Sequence, residues 1–555
     1  MVMQAKTCLG LLLLTLTALL ACCAQMPTHP PRSATFETSR LPTRVAVLPF
    51  VNRTSSPEAG TALRKMFYNF FSSLNYHDLE LTLIDTTLKK QGLSDSILSQ
   101  DPVSMQRIGQ LLGVDALITA EVLDYGKLYA LVYADTSVHL KAAMIDCVTG
   151  KKLWETEHET HTRQGDVPLS LTGVAGALIK TAVSFQQASI LHTAAKLCLE
   201  VVQTIPNPET MTSPPPKITY LVHNGGNQLL RPGQRLKAVM AGDPNMSATW
   251  DISPLASDLA MQEPEPGIYV GTYTVSAEDR LSFGRIVGHL ASPEGARSHW
   301  VDVLGPVALG EPSLLKPTLA GNTVLTQAKS PYLADSPVIV PPQATLTIEP
   351  GTVIWFKASA GLGVQGGLLI KGTEDAPVRL SGLGSSAWKG VILENRAKKN
   401  TVSHCRISGA QFGLRGYKAD LELDHCLITD NIWNVVLEQS SCDMSNCLIR
   451  SAQRCGVSIR DSEAVIRHSM IVDNKHGGLL LDSSRLALSQ CSLFNNGDWD
   501  LKSDSQSGSL IQAANNWWGT AHPEELRVQG EMDLKPLLDS PPDFQFVSSW
   551  MNEPI

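Results

Sequence analysis

From residue 402 onward the apolar positions return at a fixed period. Five versions of one phrase occur: Val402-Ser-His-Cys-Arg-Ile407, Leu423-Asp-His-Cys-Leu-Ile428, Met444-Ser-Asn-Cys-Leu-Ile449, Ile466-Arg-His-Ser-Met-Ile471 and Leu488-Ser-Gln-Cys-Ser-Leu493. Cys405, Cys426, Cys447 and Cys491 are therefore separated by 21, 21 and 44 residues, with Ser469 in the remaining place. A second apolar phrase follows the first four: Gly413-Leu, Asn434-Val, Gly456-Val and Gly478-Leu. A repeat of 21–22 residues with such short alternating runs cannot bury a core alone, so it must stack on copies of itself. The pattern predicts a solenoid of short strands with Val, Ile and Leu inward. Glycines mark bends where a β-carbon is costly.

Upstream, the pattern changes character. Arg44 to Phe50 is an apolar run closed by turn residues, and Leu81-Thr-Leu-Ile84 is another; both predict strands. Leu63, Met66, Phe67, Phe70, Phe71 and Leu74 recur at helical spacing, and Met105 to Leu112 predicts a short helix. Gly113 to Leu123 reads as a strand after a glycine cap. Leu131 to Asp146 and Lys152 to His158 alternate and meet at Thr149-Gly150, a hairpin signature; Val167 to Val202 is helical with a small-residue patch at Gly173 to Ala177. Strand–helix alternation followed by antiparallel strands indicates an α/β or α+β domain over 43–210. Ser213-Pro-Pro-Pro216 is a stiff linker. Over 217–306, Arg231 to Val239, Ala248 to Ile252, Gly267 to Val275 and Gly284 to Ala291 predict a small antiparallel sandwich. The solenoid is assigned to 307–525 and a tail to 526–555.

The N-terminus bears on compartment. Lys6 precedes an apolar run from Leu9 to Leu20, with the dimensions of a signal peptide rather than of a membrane span. Leu19-Leu20-Ala21-Cys22 resembles a bacterial lipobox. That resemblance implies a signal peptide over 1–21, an acylated Cys22 and a tether over 22–42. Cys23 rather than Asp after the acylated residue implies, by similarity to enterobacterial sorting, an outer-membrane destination, facing the periplasm or the surface. The 555 residues exceed one core; 43% apolar and 18% charged residues are ordinary for globular domains. A net charge of −8 without a basic cluster offers no footprint for nucleic acid. The repeating cysteines are expected as a buried column of small groups rather than as disulfides, since the parallel Cβ vectors of stacked rungs suit a bridge poorly.

Val45-Ala-Val-Leu-Pro-Phe50, Gly109-Gln-Leu-Leu-Gly-Val-Asp-Ala-Leu-Ile118 and Thr149-Gly-Lys-Lys-Leu-Trp154 together resemble a neisserial-type periplasmic lipoprotein family. That family is similar to the curli secretion lipoprotein and to the N-terminal domain of TolB. The resemblance implies work in envelope assembly or transport and brings no catalytic residues; no long amphipathic hairpin of a secretion channel is evident. Gly267-Ile-Tyr-Val-Gly-Thr-Tyr-Thr-Val275 resembles immunoglobulin-like envelope modules. Ala344 to Phe356, Leu362 to Thr373 and the closing Asn515-Asn-Trp-Trp-Gly519, with the repeats between them, resemble right-handed parallel β-helix proteins.

Such β-helices include polysaccharide lyases, hydrolases and epimerases. Their signatures (an Asn-Thr-Asp with paired Asp-Asp and Gly-His-Gly, an Asp-Pro-His, calcium nonapeptides) are absent from this sequence. What remains is a polar column beside the cysteines: His404, His425, Asn446, His468 and Gln490, with Asp424 adjacent and Asp430, Arg415, Lys418 and Asp473 expected nearby. Stacked imidazoles beside a carboxylate can bind a metal or move protons. A solvated outward column, in which neutral His and amides hydrogen-bond along the ladder, is the preferred reading and needs no chemistry. The expectation is a non-catalytic lipoprotein without cofactor or metal, held by lipid on Cys22, with an envelope protein partner and a polysaccharide as candidate ligand. The alternative is a carbohydrate-active enzyme using His425, Asp424 and His404.

Overall fold

In the computed structural model the described residues are 41–54, 59–90, 102–130, 133–163, 185–208, 214–384, 386–395, 398–504, 511–520 and 522–542. The expected lipidation site Cys22, the signal peptide, the tether and the Gly173 to Ala177 patch lie outside them.

The first domain is a sheet under helices. Strand β1 (Arg44–Val47) pairs in parallel with β3 (His77–Asp78) and with β4 (Ala116–Ala130), and β2 (Val51–Asn52) adds to β4; β5 (Tyr133–Asp146) and β6 (Lys152–Arg163) continue antiparallel. Helices α1 (Ala59–Phe71), α2 (Leu81–Lys90), α3 (Pro102–Leu112) and α4 (Phe185–Val202) complete it. The expected strand at Leu81 to Ile84 is the start of α2 instead. Leu81, Ile84 and Leu88 are buried at helical spacing while Leu83 is exposed, so a period of 3.6 overrides the strand-like composition. Gly113, with φ of 65, closes α3 as expected. The β4–β5 hairpin is longer than its sequence suggested, pairing 15 residues with 14.

Residues 218–310 form two antiparallel-rich sheets. Trp250, fully buried on one sheet, reaches the other at Gly271, where an added Cβ would lie 2.5 Å from the indole nitrogen. This glycine therefore keeps the two sheets in face-to-face contact. The α1 helix lies against the strand Arg297–Val301 and imitates a neighbouring strand: Asn69 Nδ2 donates to Val301 O (2.9 Å) while Val301 N donates to Asn69 Oδ1 (2.8 Å). His299 Nε2 sits 3.0 Å from Asp78 Oδ2, Phe70 meets Trp300 edge-on at 5.2 Å, and one apolar core runs through both modules. The Pro-rich segment thus joins two bodies that share an interior.

The repeats form three parallel sheets. Sheet A holds ten strands, including Lys399–Ser403 and Asp420–Asp424; sheet B holds nine, including Cys405–Ser408 and Leu427–Thr429; sheet C holds nine, including Ala410–Tyr417 and Trp433–Glu438. The first rung of sheet B begins at Ser313 and sheet A ends at Asp533, so the coil runs past residue 525. Val307–Gly310 belongs to the middle, antiparallel-rich sheets. Inside, Leu423, Met444, Ile466 and Leu488 stack from sheet A, Ile407, Ile428, Ile449, Ile471 and Leu493 from sheet B, and Leu414, Val435, Val457, Leu479 and Leu501 from sheet C. Burying each stabilises by roughly 1.5–3 kcal/mol before entropy is counted. The early rungs rest on the middle sheets through Leu333, Val353, Trp355 and Ala308, and Arg379 lies 4.4 Å above the Phe283 ring.

Candidate functional site

From His404 to Asn495 each coil turns three corners, and one residue at each adopts a left-handed conformation. Between sheets A and B these are His404, His425, Asn446, His468 and Gln490 (φ 47, 49, 52, 44 and 55). Between B and C they are Gly409, Asp430, Ser451, Asp473 and Asn495, and between C and the next A they are Lys418, Gln439, Asp461 and Ser483. Asn, Asp, Gly and His tolerate this region best, which accounts for much of the composition of the first two columns. The histidine column is therefore a corner rather than an outward strand face. Its backbone stays in the ladder, since His404 N donates to Asp424 O (3.0 Å) and His425 N to Ser445 O (3.2 Å).

The residue after each of these left-handed positions turns inward, and where it is Ser, Cys or Asn its side chain reconnects the bent backbone. At the third corner Ser462 Oγ donates to Arg460 O (2.6 Å) and accepts from Ser440 N (2.9 Å). At the first corner Ser469 Oγ does the same with Arg467 O (2.8 Å) and Cys447 N (3.1 Å). The cysteines are the sulfur version: Cys447 Sγ donates to Ser445 O at 3.1 Å and Cys491 Sγ to Ser489 O at 3.2 Å. Cys405, Cys426, Cys447 and Cys491 are fully buried, and the eight cysteines among the described residues are free. Burial pushes Cys442 and Cys491 up to about 12 and holds Cys405 and Cys447 well above the ordinary thiol range, so these thiols are neutral and unreactive.

The second corner uses asparagine. Asn474 Oδ1 accepts from Ala452 N (3.0 Å), and its Nδ2 donates to Val472 O (3.0 Å) and to Asn496 Oδ1 (2.8 Å). Asn431 Oδ1 accepts from Ala410 N at 2.7 Å. This ladder was overlooked in the sequence, although Asp430-Asn, Asp473-Asn and Asn495-Asn repeat there with the same period as the cysteines.

The three candidate catalytic groups do meet. His404 and His425 stack face to face with centroids 4.6 Å apart and planes 2° from parallel, and His425 Nδ1 lies 2.9 Å from Asp424 Oδ2. Asp424 Oδ1 accepts from Ser445 Oγ (2.9 Å) and Asn446 Nδ2 (3.0 Å). Burial pulls the Asp424 carboxyl upward, but the hydrogen bonds from Asn446, His425 and Ser445 outweigh it and leave it below its ordinary value. Burial, followed by the neighbouring His425, lowers His404. The outlying members separate: Arg415 pairs with Glu438 at 2.8 Å on sheet C, Lys418 sits at the third corner 5.1 Å from the Tyr417 ring, and Asp430 and Asp473 occupy the second corner. The expectation that these four lie beside the histidines therefore fails, because each sits on another strand or at another corner of its coil. Among the described residues no group of three or more His, Cys, Asp or Glu side chains is placed to hold a metal ion.

The second corner faces a cleft of about 930 Å³ between the β-helix and the first domain. Arg53, Thr54, Leu123 and Asp124 form one wall; Asp430, Asp473, Asn474, Lys475, Phe494 and Asn495 belong to the other, with Trp518, Gly519 and Arg527 from the closing segment. Gly519, at φ of 82, packs on Phe494: a Cβ there would sit 2.7 Å from the Phe494 Cβ. Arg527 Nε lies 3.4 Å from Asp500 Oδ2, whose other oxygen accepts from Asn496 Nδ2 at 2.8 Å. Burial raises both Asp430 and Asp500 above the ordinary carboxylate range, against the opposing pull of Arg450 and Asn496 respectively.

An α/β lipoprotein-type domain joined to a right-handed β-helix is the class these features define. Residues 33–209 match the family described as "Putative lipoprotein GNA1162-like", and residues 366–517 match the right handed beta helix region. The chain thus carries a GNA1162-like domain and a β-helix domain. Over 174 residues it is 26% identical to the lipoprotein NMB1124/NMB1162 of Neisseria meningitidis serogroup B, covering 31% of this chain and 79% of that one. The crystal structure of lipoprotein GNA1162 from Neisseria meningitidis is similar at 21% identity, covering 25% of this chain and 94% of that one, with a TM-score of 0.21. The PelC dodecamer from Paraburkholderia phytofirmans is similar at 13% identity, covering 32% and 98%, with a TM-score of 0.22. The lipoprotein relatives point to a membrane-associated place in the cell envelope. Among the described residues no helix is long and apolar enough to cross a membrane.

Proposed function

We propose that this chain is a non-catalytic envelope lipoprotein that binds or scaffolds, anchored in the outer membrane through acylated Cys22. Its GNA1162-like domain docks on an envelope assembly or transport partner, the immunoglobulin-like sandwich carries the load between modules, and the β-helix presents a long face to polysaccharide or protein. The observation that carries this reading is the β-helix itself. Its corners are closed by repeated hydrogen bonds, and the groups most suited to proton transfer, Asp424 and His425, are engaged with each other, with Ser445 and with Asn446. Affinity capture from envelope fractions with the full chain, alongside retention on immobilised polysaccharides, tests it. Retention of a partner or a glycan without new reducing or unsaturated ends is expected. New ends that vanish on His425→Ala would instead establish the carbohydrate-active alternative, since stacked His404 and His425 beside a carboxylate are equipped to move a proton. Fatty-acid labelling is expected to disappear on Cys22→Ser.

A further inference from the structure

We propose that the edge of the first domain from which the N-terminal segment leaves is a membrane-docking face, with Val103 and Val148 set into an anionic lipid surface and Arg44, Arg107 and Lys151 against its headgroups. This rests on the lipid-anchored reading above and gives the anchored domain an orientation.

The sheet itself gathers this edge. Thr43 N and Arg44 N donate to Asp115 Oδ2 (3.0 and 2.9 Å), Asp115 N donates to Arg44 O (2.8 Å), and Cys147 N donates to Asp115 O (2.9 Å). The starts of β1 and β4 and the turn after β5 therefore lie side by side. Helix α3 is clamped to that turn. Gln106 Nε2 donates to Val148 O at 2.7 Å, and at Gly109 an added Cβ would run into Cys147 Sγ. Val103, one turn before Gln106, thus shares a surface with Val148. These two side chains are 74% and 80% exposed, more than any other large apolar residue described. They come from separate elements that tertiary contacts bring together, so the patch is built by the fold.

What covers it follows from where the chain goes. Cys22, the proposed acylated residue, lies upstream of Thr43, so the lipid is joined to the domain at this edge. A bilayer held there by a covalent link has an effective concentration that a free partner does not match. Charge agrees with this occupant. Arg44, Arg107 and Lys151 are exposed around the valines, although the whole chain carries −8. The carboxylates of the same edge are bound to its backbone: Asp115 as above, and Asp146 Oδ1 by Val148 N (3.0 Å) and Thr149 N (2.6 Å). Apolar side chains ringed by cations suit acyl chains beneath anionic headgroups, where burial and Coulomb attraction add. Leu123 and Asp124, which wall the cleft toward the β-helix, lie roughly 25 Å farther along β4. Docking through this edge therefore holds the β-helix off the bilayer with its long face open.

The test uses the mature full chain with Cys23→Ser, since the cysteines among the described residues are buried and free. A fluorophore is attached at Val148→Cys or, as a control on the β-helix, at Val324→Cys, which is 54% exposed. The acylated protein is placed in vesicles of phosphatidylethanolamine and phosphatidylglycerol. Quenching by nitroxide-labelled lipid is expected at 148 and not at 324. Protein that floats with the vesicles without lipid quenching at 148 overturns the face and leaves the anchor standing. Shielding of 148 from aqueous iodide without lipid quenching also overturns it, and assigns the surface to a second copy of the chain. If fatty-acid labelling shows no acyl group, the anchor reading fails separately, and the Cys22→Ser chain decides the face. Its binding to these vesicles is then expected to weaken about three- to ten-fold with Val103→Asp and with Val148→Asp, and to be unchanged by Val324→Asp. Both valines are exposed, so neither variant disturbs the core. No binding by that chain, binding that neither variant alters, or equal binding to phosphatidylcholine alone overturns the face.

Discussion

Two corners flank the same strands of sheet B, built by one backbone device, and they are equipped for different work. At the first, left-handed His404 and His425 stack upon each other, and Asp424 is held by three neighbours. At the second, left-handed Asp430, Asp473 and Asn495 line a cleft that a second domain completes. The titratable residues that look most catalytic stand at the corner whose contacts are all local. The difference shows that a polar column in a solenoid takes its meaning from what faces it. Left-handed backbone alone recruits Asn, Asp and His, so their recurrence argues for geometry before it argues for chemistry.

The comparison is most severely strained by attacking the interior of the second corner. Asn474→Ala removes the acceptor of Ala452 N and the donor to Val472 O and to Asn496, leaving buried groups unpaired. A loss of about 3 kcal/mol or more is expected in chemical denaturation, since each orphaned group costs about 1–3 kcal/mol. A loss under about 1 kcal/mol would mean that the asparagine ladder does not hold the corner.

The first corner should respond to volume rather than to polarity. Cys426→Leu overpacks a fully buried position and is expected to cost about 1–3 kcal/mol. Cys447→Ser is expected to cost less than about 1 kcal/mol, because Ser469 already occupies an equivalent place with both its hydrogen bonds made. Thiol titration of the native protein should leave the ladder cysteines unmodified until it unfolds. Their reaction in the native state would show that the rungs open.

The solenoid was legible because period is a property of spacing, and spacing survives in the sequence. The corners were not, because a left-handed turn has no signature distinct from an ordinary polar column. Leu81 to Ile84 was misjudged over a window too short to separate a helix from a strand, and Leu88 supplied the missing turn. Asn69 against Val301, and Arg53 across the cleft from Lys475, join residues so far apart in sequence that no local pattern announces them. The candidate site was half visible: its histidines and Asp424 were found, whereas the cleft emerged only from the assembled domains.

A gentler distinction comes from pH. His404 is held below its ordinary value of 6.5, so the unfolded chain takes up that proton first as the pH falls. Its contribution to stability is therefore complete above pH 6.5 and declines below it. Asp424 is held below 3.8, so its contribution is present above that value and is lost only in stronger acid. His404→Asn, which retains a residue suited to the left-handed corner, should remove the first decline and leave the second in melting temperatures measured between about pH 7.5 and 3. An unchanged profile would place the proton elsewhere. Smallest of all, His425→Asn is expected to shift stability by less than about 1 kcal/mol, because the ring is one-third exposed and its solvent-screened bond to Asp424 contributes little.

The most direct test of the difference between the corners is hydrogen exchange of the full chain, the wild type against Asn474→Ala. The account predicts faster exchange at residues 450–452, 472–475 and 494–497, where the asparagine ladder closes the second corner, and no change at 445–447 or 467–469 at the first. Loosening that reaches both corners alike, or that leaves the second unchanged, would contradict it.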